Sequence, residues 1–350
     1  MFFLLWLFVS VVEGRDIVIQ KGLDNSSLMQ LIESTDKTIK IALISSPNVI
    51  GKYSQSLYNV SLATLMSRRS EGYEIKRYDI ADESSASLAA VLDEVRRDNV
   101  DAILAPLTSL GAKNIITHST NLPVFIPTVH KRDLPSAPAN FIFGGIDYMA
   151  QIEALHSYMG DSIAIFYDSS SVGTQLKSIT EEVFLAHKSE KKKVESYAVD
   201  TKGDNIISHF SKPAKFNKAS IILHIPVVKS ALVASQLTFR GVKARNILST
   251  QINIDPTLLI LTQSQDRKNV ILANSLVEFP ARIYEANALM NNDITVDWIQ
   301  YATSVGIDYL VSALDNSSRE YSMRLINSQV IYPVELLQAK EFGFESLTSH

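Results

Sequence analysis

Short apolar runs alternate with helical patterns along most of this chain. The first run, residues 39–44 (IKIALI), holds five apolar residues in six and leads into the polar turn 45–48. A strand that is apolar on both faces is typical of parallel sheets, which helices cover on both sides. In such sheets, the turn after a strand lies at the edge where ligands bind. The sequence therefore predicts a buried strand that delivers small polar side chains to a cleft.

The same alternation continues along the chain. Further strands are predicted at 73–78, 100–105, 123–126, 162–167, 194–199, 221–225, 245–249 and 270–273. Apolar helix faces are predicted at Tyr58, Leu62, Leu65 and Met66, at Leu88, Val91, Leu92 and Val95, and at Val228, Leu232 and Phe239. The longest helical pattern comprises Trp298, Tyr301, Ala302, Val305 and Tyr309. Strands that alternate with helices in this way predict parallel sheets flanked by helices.

Three segments interrupt the alternation, at 141–145 (FIFGG), 275–280 and 329–333. The paired glycines of the first segment would free the backbone at a hinge. We therefore predict an α/β fold of two Rossmann-like lobes, each a parallel sheet flanked by helices, joined by three hinge crossings. Lobe 1 would comprise 39–144 and 279–327, lobe 2 would comprise 145–278, and 328–350 would form the third crossing and the C-terminal segment.

The N-terminal residues 1–12 (MFFLLWLFVSVV) are apolar almost throughout. They are too few to cross a bilayer, for which a helix needs about 20 residues. We predict that 1–14 is a secretory signal peptide cleaved near Gly14, that 15–38 is an N-terminal extension, and that the mature protein is periplasmic. No Lys or Arg precedes the apolar run, so a buried N-terminal strand or helix is the alternative.

Charge and cysteine content narrow the function. The chain carries 33 Lys and Arg against 37 Asp and Glu, a net charge of −4, so no nucleic acid partner is expected. The basic cluster Lys188, Lys191, Lys192 and Lys193 is better explained as a solvated helix end. The chain has no Cys, which excludes disulfides, thiolate metal sites and cysteine nucleophiles.

Catalytic motifs are missing from the sequence. It contains no GxGxxG, P-loop, GxSxG or HExxH, and its seven His residues never take i, i+4 metal-ligand spacing. We therefore predict that the protein is not an enzyme and has neither a cofactor nor a metal site. His156 is expected to be a packed helix residue. His224 ends a predicted strand, where it either faces the cleft or lies in the core.

Polar residues instead collect where the predicted strands end. These residues are Ser45, Ser46, Thr108, Ser109, Thr128, Asp168, Ser169, Ser170, Thr250 and Gln251. Hydroxyls and backbone N–H groups at helix N-termini are suited to holding a carboxylate or another small anion. The alternative is that these side chains only cap the helices that follow.

The order of several segments resembles a known family. The segments are IKIALISSP, VDAILAPLTS, NLPVFIPT, FIFGGID, SIAIFYDSSSVG, ASIILHIP and YATSVGIDYLVSAL. Together they make residues 39–337 similar to the type I periplasmic binding proteins, in particular the leucine/isoleucine/valine-binding branch of ABC-transporter receptors.

The resemblance implies that two Rossmann-like lobes close on a ligand. Amino-acid ligands of this family are held by Ser, Thr and backbone groups of the first lobe, which here correspond to Thr108, Ser109 and the segment Thr128 to His130. The segment 126–130 (IPTVH) differs from the Ser-Pro-Gly-Ala-Thr typical of amino-acid binders, and no acid lies at 225–227.

We predict a periplasmic solute-binding protein that captures a small polar or anionic, amino-acid-like ligand for an ABC transporter, with an inner-membrane permease as its possible partner. The predicted ligand-binding residues are Ser45, Ser46, Thr108, Ser109, Thr128, His130, Asp168, Ser170 and Gln251. The alternative is a ligand-independent interaction or regulatory module of the cell envelope, like the lipoprotein activators of penicillin-binding proteins. The oligomeric state is not predicted.

Overall fold

The computed structural model describes residues 38–51, 53–68, 72–186 and 192–347. The predicted signal peptide, nearly all of the N-terminal extension, and Lys188 and Lys191 of the basic cluster lie outside these ranges. The strands are β1 Ile39–Ser45, β2 Tyr73–Asp79, β3 Ala102–Leu104, β4 Val124–Ile126, β5 Phe141–Phe143, β6 Ser162–Asp168, β7 Lys193–Val199, β8 Ser220–His224, β9 Asn246–Ser249, β10 Val270–Asn274, β11 Arg324–Ile326, β12 Gln329–Ile331, β13 Glu335–Ala339 and β14 Phe344–Ser346.

The helices lie between these strands. They are α1 Pro47–Ile50, α2 Tyr53–Met66, α3 Ser85–Arg97, α4 Ser109–Ile115, α5 Tyr148–His156, α6 Ser171–Ala186, α7 Ile206–His209, α8 Val227–Phe239, α9 Pro256–Leu261, α10 Ser264–Arg267, α11 Ala281–Leu289 and α12 Trp298–Asp315. Short 3₁₀ turns occur at Lys131–Asp133, Pro213–Phe216 and Gln251–Asn253.

The strands form two seven-stranded sheets, in the orders β11-β12-β5-β4-β3-β1-β2 and β14-β13-β10-β9-β8-β6-β7. We call the first sheet with α1–α4, α11 and α12 lobe 1, and the second sheet with α5–α10 lobe 2. The predicted fold of two α/β lobes is confirmed. The sheets are mostly parallel, but β11 is antiparallel to β12, β13 to β10 and β14 to β13.

The predicted parallel sheets thus gain antiparallel strands at their C-terminal ends. Only Asn327 and Ser328 separate β11 from β12, and both have positive φ values, 50° and 64°. Two consecutive positive φ values are typical of the tight type I′ hairpin turn. A turn of this length can join only antiparallel strands, since a parallel connection needs a long crossover.

Strand β1 is buried on both faces, as its apolar run predicts. Ile41 and Leu43 pack into one apolar cluster of lobe 1, while Ala42 and Ile44 pack into the cluster on the opposite face of the sheet. Alternate residues of a strand point to opposite faces, so a strand covered by helices on both sides carries consecutive apolar residues, as 41–44 do here.

The chain passes between the two sheets three times, at 144–147, 275–280 and 332–334. Residues after 328, which we assigned to the third crossing and the C-terminal segment, supply strands to both sheets. Gln329 of β12 is bonded to the first crossing, because its Nε2 donates to Gly145 O at 3.1 Å, and its Oε1 accepts from Lys131 N at 2.8 Å. The strand that leads into the third crossing is thus bonded to the first crossing.

The paired glycines of the first crossing are closely packed against lobe 1. Neither Gly144 nor Gly145 has a positive φ. A Cβ at Gly145 would lie 2.2 Å from the carbonyl carbon of Val129, and a Cβ at Gly144 would lie 2.7 Å from the Phe125 ring. These glycines are needed because neighbouring atoms leave no room for a side chain.

Helix α2 buries a face that is shifted from the predicted one. Met66 is 69% exposed, whereas Ser61 and Thr64 are fully buried. Their hydroxyls donate to the carbonyls of Leu57 and Val60, one helical turn earlier, at 2.7 and 2.8 Å. A hydroxyl satisfied in this way does not need water, so Ser and Thr can line a buried helix face.

Helix α8 exposes the face predicted to be buried. Val228, Leu232 and Phe239 are 60%, 37% and 80% exposed. The buried face instead carries Ser230, Ala231, Val233, Ala234 and Leu237. Apolar residues lie on all sides of this helix, so periodicity alone could not decide which face packs against the sheet.

Helix α12 is the longest helix of the described residues, as predicted, with 18 residues. Its buried Asp308 accepts a 2.6 Å ion-pair contact from Arg68 Nη1 and hydrogen bonds from the backbone N–H groups of Glu320 and Tyr321. In the part of the chain that the structure describes, no helix is long and apolar enough to cross a membrane.

We predict that Gly145→Ala destabilises the protein by about 1–3 kcal/mol, because the added methyl group must displace backbone atoms rather than a flexible side chain. Urea denaturation measures this. The matched control is Gly343→Ala, where a Cβ has no neighbour within 4 Å. Equal stabilities of the two variants would contradict the close approach.

Candidate functional site

Residues of both lobes line two adjoining cavities. The first, which we call the His130 cavity, has a volume of about 430 Å³. It is lined by Ser109, Thr128, His130, Arg132, Asp133, Ile146, Tyr148, Met149, Ser171, Val172, Gln175, Ile179, Glu182, Trp298 and Ile299. The second, the Asp297 cavity, has a volume of about 440 Å³. It is lined by Tyr53, Ile146, Tyr148, Gln251, Ile252, Ile254, Asp255, Val296, Asp297, Trp298 and Ile299.

The two cavities share Ile146, Tyr148, Trp298 and Ile299, so they adjoin, and we refer to both together as the cleft between the lobes. A larger cavity of about 700 Å³ beside Tyr309 and Arg319 is lined by lobe 1 alone. The shared cleft is the better candidate, because strand ends of both sheets open into it.

Four of the nine predicted ligand-binding residues line this cleft. Ser109, Thr128 and His130 belong to the His130 cavity, and Gln251 belongs to the Asp297 cavity. The others line neither cavity: Ser45, Ser46, Thr108, Asp168 and Ser170.

Ser45 and Ser46 lie inside lobe 1. Their side chains are at most 1% exposed. The Ser45 hydroxyl contacts the Ser54 hydroxyl at 3.3 Å, and the Ser46 hydroxyl donates to Ala81 O at 3.3 Å. These bonds hold the turn after β1 against α2 and the β2 end.

Thr108 is bonded to a carboxylate of the chain itself. Glu83, which is 4% exposed, accepts from Thr108 N at 3.0 and 3.1 Å and from the Thr108 hydroxyl. A Cβ at Gly111 would lie 2.5 Å from Glu83 Oε2, so the glycine makes room for this carboxylate. The position where we expected an external anion therefore holds an internal one.

Asp168 and Ser170 form the cap of α6. Asp168 Oδ1 accepts from the N–H of Ser170 at 3.1 Å, and the Ser170 hydroxyl accepts from Gly173 N at 3.0 Å. The capping interpretation therefore applies to this strand end. The next turn, with Ser171 and Val172, faces the His130 cavity instead.

His130 and Arg132 of lobe 1 hold Asp147, the last residue of the first crossing. His130 Nε2 lies 3.5 Å from Asp147 Oδ2, Arg132 donates to the same carboxylate at 3.2 Å, and Asp147 accepts from Ala150 N as the N-cap of α5. Burial raises the pKa of Asp147, but these donors outweigh burial and hold the pKa well below its ordinary value of 3.8.

Gln251 belongs to a buried network at the base of the cleft. Its Oε1 accepts from Ser275 N at 2.7 Å, and its backbone N–H donates to Gln151 Oε1 at 2.9 Å. Gln151 Nε2 in turn donates to the Ser275 hydroxyl at 2.9 Å. The network connects α5, the turn after β9 and the second crossing.

Aromatic rings make up much of the remaining wall. Trp298, the first residue of α12, packs edge-on against Tyr332 with 4.7 Å between ring centroids. Burial raises the pKa of Tyr148 to about 12, so this phenol is neutral at physiological pH. Sequence reasoning missed Tyr53, Tyr148 and Trp298 as cleft residues, because aromatic residues are equally common in cores.

Sequence reasoning also missed Asp255 and Asp297. Both directly precede helices, at Pro256 and Trp298, and cap them. An acid immediately before a helical pattern is a recognisable N-cap signal, so these positions were detectable in the sequence. Their presence in the cleft was not.

His224 lies in the core of lobe 2 and not in the cleft. It is 1% exposed and contacts the Thr180 hydroxyl at 2.7 Å. Burial lowers the pKa of His224 to about 3, so the imidazole is neutral. Among the residues that the structure describes, no three His, Asp or Glu side chains form a group that could hold a metal ion.

The chain is similar to solved structures of solute-binding proteins. A branched-chain amino acid ABC transporter protein from Thermus thermophilus with bound valine matches with a TM-score of 0.64 and 13% identity, covering 89% of this chain and 96% of that one. The branched-chain amino acid transporter substrate-binding protein of Streptococcus pneumoniae, in complex with isoleucine, matches with a TM-score of 0.62 and 12% identity, covering 88% and 98%.

A solute-binding protein of an ABC transporter from Rhodopseudomonas palustris, in complex with 3,4-dihydroxybenzoic acid, matches with a TM-score of 0.63 and 12% identity, covering 88% and 95%. The chain has the fold of the type I periplasmic binding proteins. The predicted resemblance is confirmed at the level of the fold. No family model matches the sequence, and no curated protein matches it.

We predict that Thr108→Ala lowers the free energy of unfolding by about 1–2 kcal/mol, because Glu83 loses a hydroxyl donor while remaining buried. Urea denaturation measures the loss. The Thr108→Ser variant keeps the hydroxyl, so it should retain most of the free energy of unfolding that Thr108→Ala loses. Unchanged stability together with weaker solute binding would instead assign Thr108 to the ligand.

We also predict a pH-dependent contribution from Asp147. Because its pKa is lower in the folded state, its ionised form stabilises the protein above about pH 4, and this stability is lost as the pH falls toward the folded pKa. Asp147→Asn should cost about 1–2 kcal/mol at pH 7. The cost should shrink below pH 4 in urea denaturation. Asp133→Asn, which changes an exposed acid next to Arg132, is the control. A pH-independent cost for Asp147→Asn would contradict the prediction.

Proposed function

We propose that the protein captures a small polar solute in the cleft between its two lobes. One observation carries this proposal: side chains of both lobes line the same two adjoining cavities. A solute there contacts lobe 1 through Ser109, Thr128 and His130, and lobe 2 through Gln251 and its neighbours. Residues of this kind fix a ligand by hydrogen bonds and need no covalent chemistry.

Binding would act by hinge closure. A ligand that touches both lobes binds the closed arrangement more tightly, and only such a difference in affinity shifts the population toward it. The three crossings are the parts of the chain that must absorb the change. Two sets of contacts restrict how the first crossing moves. Gln329 donates to Gly145 O, and the Asp147 carboxylate is held by His130 and Arg132.

The contacts of Thr108 and Arg132 reduce the range of charges that we propose for the solute. We predicted a polar or anionic ligand, but Glu83 already occupies the Thr108 position, and Arg132 is engaged by Asp147. A polar solute is therefore favoured over an anion in the proposed function. An amino-acid-like ligand stays a prediction.

Delivery to an inner-membrane ABC permease, and a periplasmic location, are the biological setting that we propose. The support comes from the fold, which the chain shares with binding proteins of ABC transporters at 12–13% identity. Identity this low does not carry ligand specificity from those proteins to this chain, and their own ligands differ in chemistry.

We expect a thermal-shift screen of amino acids, amines, amides and small carboxylates to find at least one stabilising solute. A solute at 100 times its Kd adds about 2.7 kcal/mol of stability, because it binds the folded state only. Ser109→Ala should weaken the binding of that solute without lowering the Tm of the free protein. If no solute in the screen raises the Tm, solute capture is contradicted and the ligand-independent interaction module is favoured. The exposed apolar face of α8 is a surface that such a module could use for its contacts.

A further inference from the structure

The Asp297 cavity has an unusual charge for a site expected to hold an amino-acid-like ligand. Two carboxylates, Asp255 from lobe 2 and Asp297 from lobe 1, line it, and its lining residues include no Lys, Arg or His. Two like charges, one contributed by each lobe, repel an anion and favour a cation in the same cavity. The cavity therefore selects for positive charge.

Both carboxylates are held in place by backbone donors. Asp255 Oδ1 accepts from Thr257 N at 2.7 Å, and Asp297 Oδ1 accepts from Ile299 N at 3.0 Å. These bonds fix the direction of each side chain. Tyr53 is hydrogen-bonded to Asp297. Burial is the larger cause and this carboxylate the smaller cause that raise the pKa of the Tyr53 phenol, so the phenol stays neutral.

Three aromatic side chains share the walls with these acids: Tyr53, Tyr148 and Trp298. The face of an aromatic ring is electron-rich and attracts a cation, most strongly when the cation is shielded from water. Aromatic rings combined with carboxylates are the usual way that proteins recognise organic ammonium groups. A bare metal ion would need more oxygen ligands than two carboxylates supply.

Gln251 adds a requirement for an acceptor atom. Ser275 N donates to Gln251 Oε1, which fixes the orientation of the amide and leaves Nε2 as the group still able to donate. Gln251 is 7% exposed and lines the cavity, and Nε2 is buried without a hydrogen-bond partner among the described residues. A buried unpaired donor is costly, so a ligand oxygen that accepts from it gains affinity.

We propose that the Asp297 cavity binds a small organic ammonium ion that also carries a hydrogen-bond acceptor oxygen. The ammonium group lies between Asp255 and Asp297 against the aromatic rings, and the oxygen accepts from Gln251 Nε2. This inference rests on the proposed function and names the class of solute that the cleft takes.

Calorimetric titration of the full chain with three probes tests the inference. Choline and ethanolamine supply the ammonium group and a hydroxyl oxygen, while 3,3-dimethylbutan-1-ol has the shape of choline without its charge. We expect at least one ammonium probe to bind, and choline to bind at least about tenfold more tightly than its neutral isostere. Equal binding of choline and the isostere, or no binding of either ammonium probe at millimolar concentration, would overturn the inference.

Two charge-neutral variants locate the site. Asp255→Asn and Asp297→Asn keep the helix caps, because Asn caps as well as Asp, but they remove the charges. Each variant should raise the Kd of the ammonium probe about tenfold. The Kd of the neutral isostere should not change, and the Tm of the free protein should change little. Asp93→Asn, an exposed acid paired with Arg96 on α3, is the matched control and should bind as the unmodified protein does.

Different failures identify different errors. If a solute from the thermal-shift screen binds in the cleft while the ammonium probes do not, the inference is wrong and the proposed function stands. If ammonium binding persists in both Asn variants, the cation lies elsewhere and the inference is also wrong. If no solute of any class binds, the proposed function fails together with it.

Discussion

The arrangement of strands in two largely parallel sheets is the constraint on which the site depends. Parallel strands end at one edge of a sheet, and the three crossings bring the edges of the two sheets to a common cleft. Thr128 follows β4 of lobe 1 and Gln251 follows β9 of lobe 2, yet they line adjoining cavities. The topology thus places side chains that are far apart in sequence around one volume.

Most of the polar groups at these strand ends are already used within the protein. The Glu83 carboxylate accepts from Thr108 N, and the Asp147 carboxylate is held by His130 and Arg132. Ser170 caps α6. Such bonds keep buried polar groups paired, which stabilises the loops around the cleft. The groups left to a ligand are therefore fewer than the sequence suggests. The Asp297 cavity is lined by aromatic rings, by two carboxylates that also cap helices, and by one amide.

Local pattern was enough to predict the fold and the buried strand β1, since hydrophobic periodicity reflects which faces are covered. It was not enough for α8, whose apolar residues lie on every side, or for the antiparallel C-terminal strands. Glu83 could not be assigned because its bond to Thr108 joins loops after different strands, and nothing near it in sequence marks that contact. Asp297 could be recognised as a helix cap, but its presence in the same cavity as Asp255 depends on how the lobes meet.

Fluorescence of Trp298 tests the central claim, that the interlobe cleft is the solute site. The chain has two Trp residues, so Trp6→Phe leaves Trp298, which lines both cavities, as the only one. Each solute that raises the Tm of this variant should change the Trp298 emission saturably, with one solute bound per chain. A solute that stabilises the protein and leaves the emission unchanged would bind elsewhere, and would contradict the account.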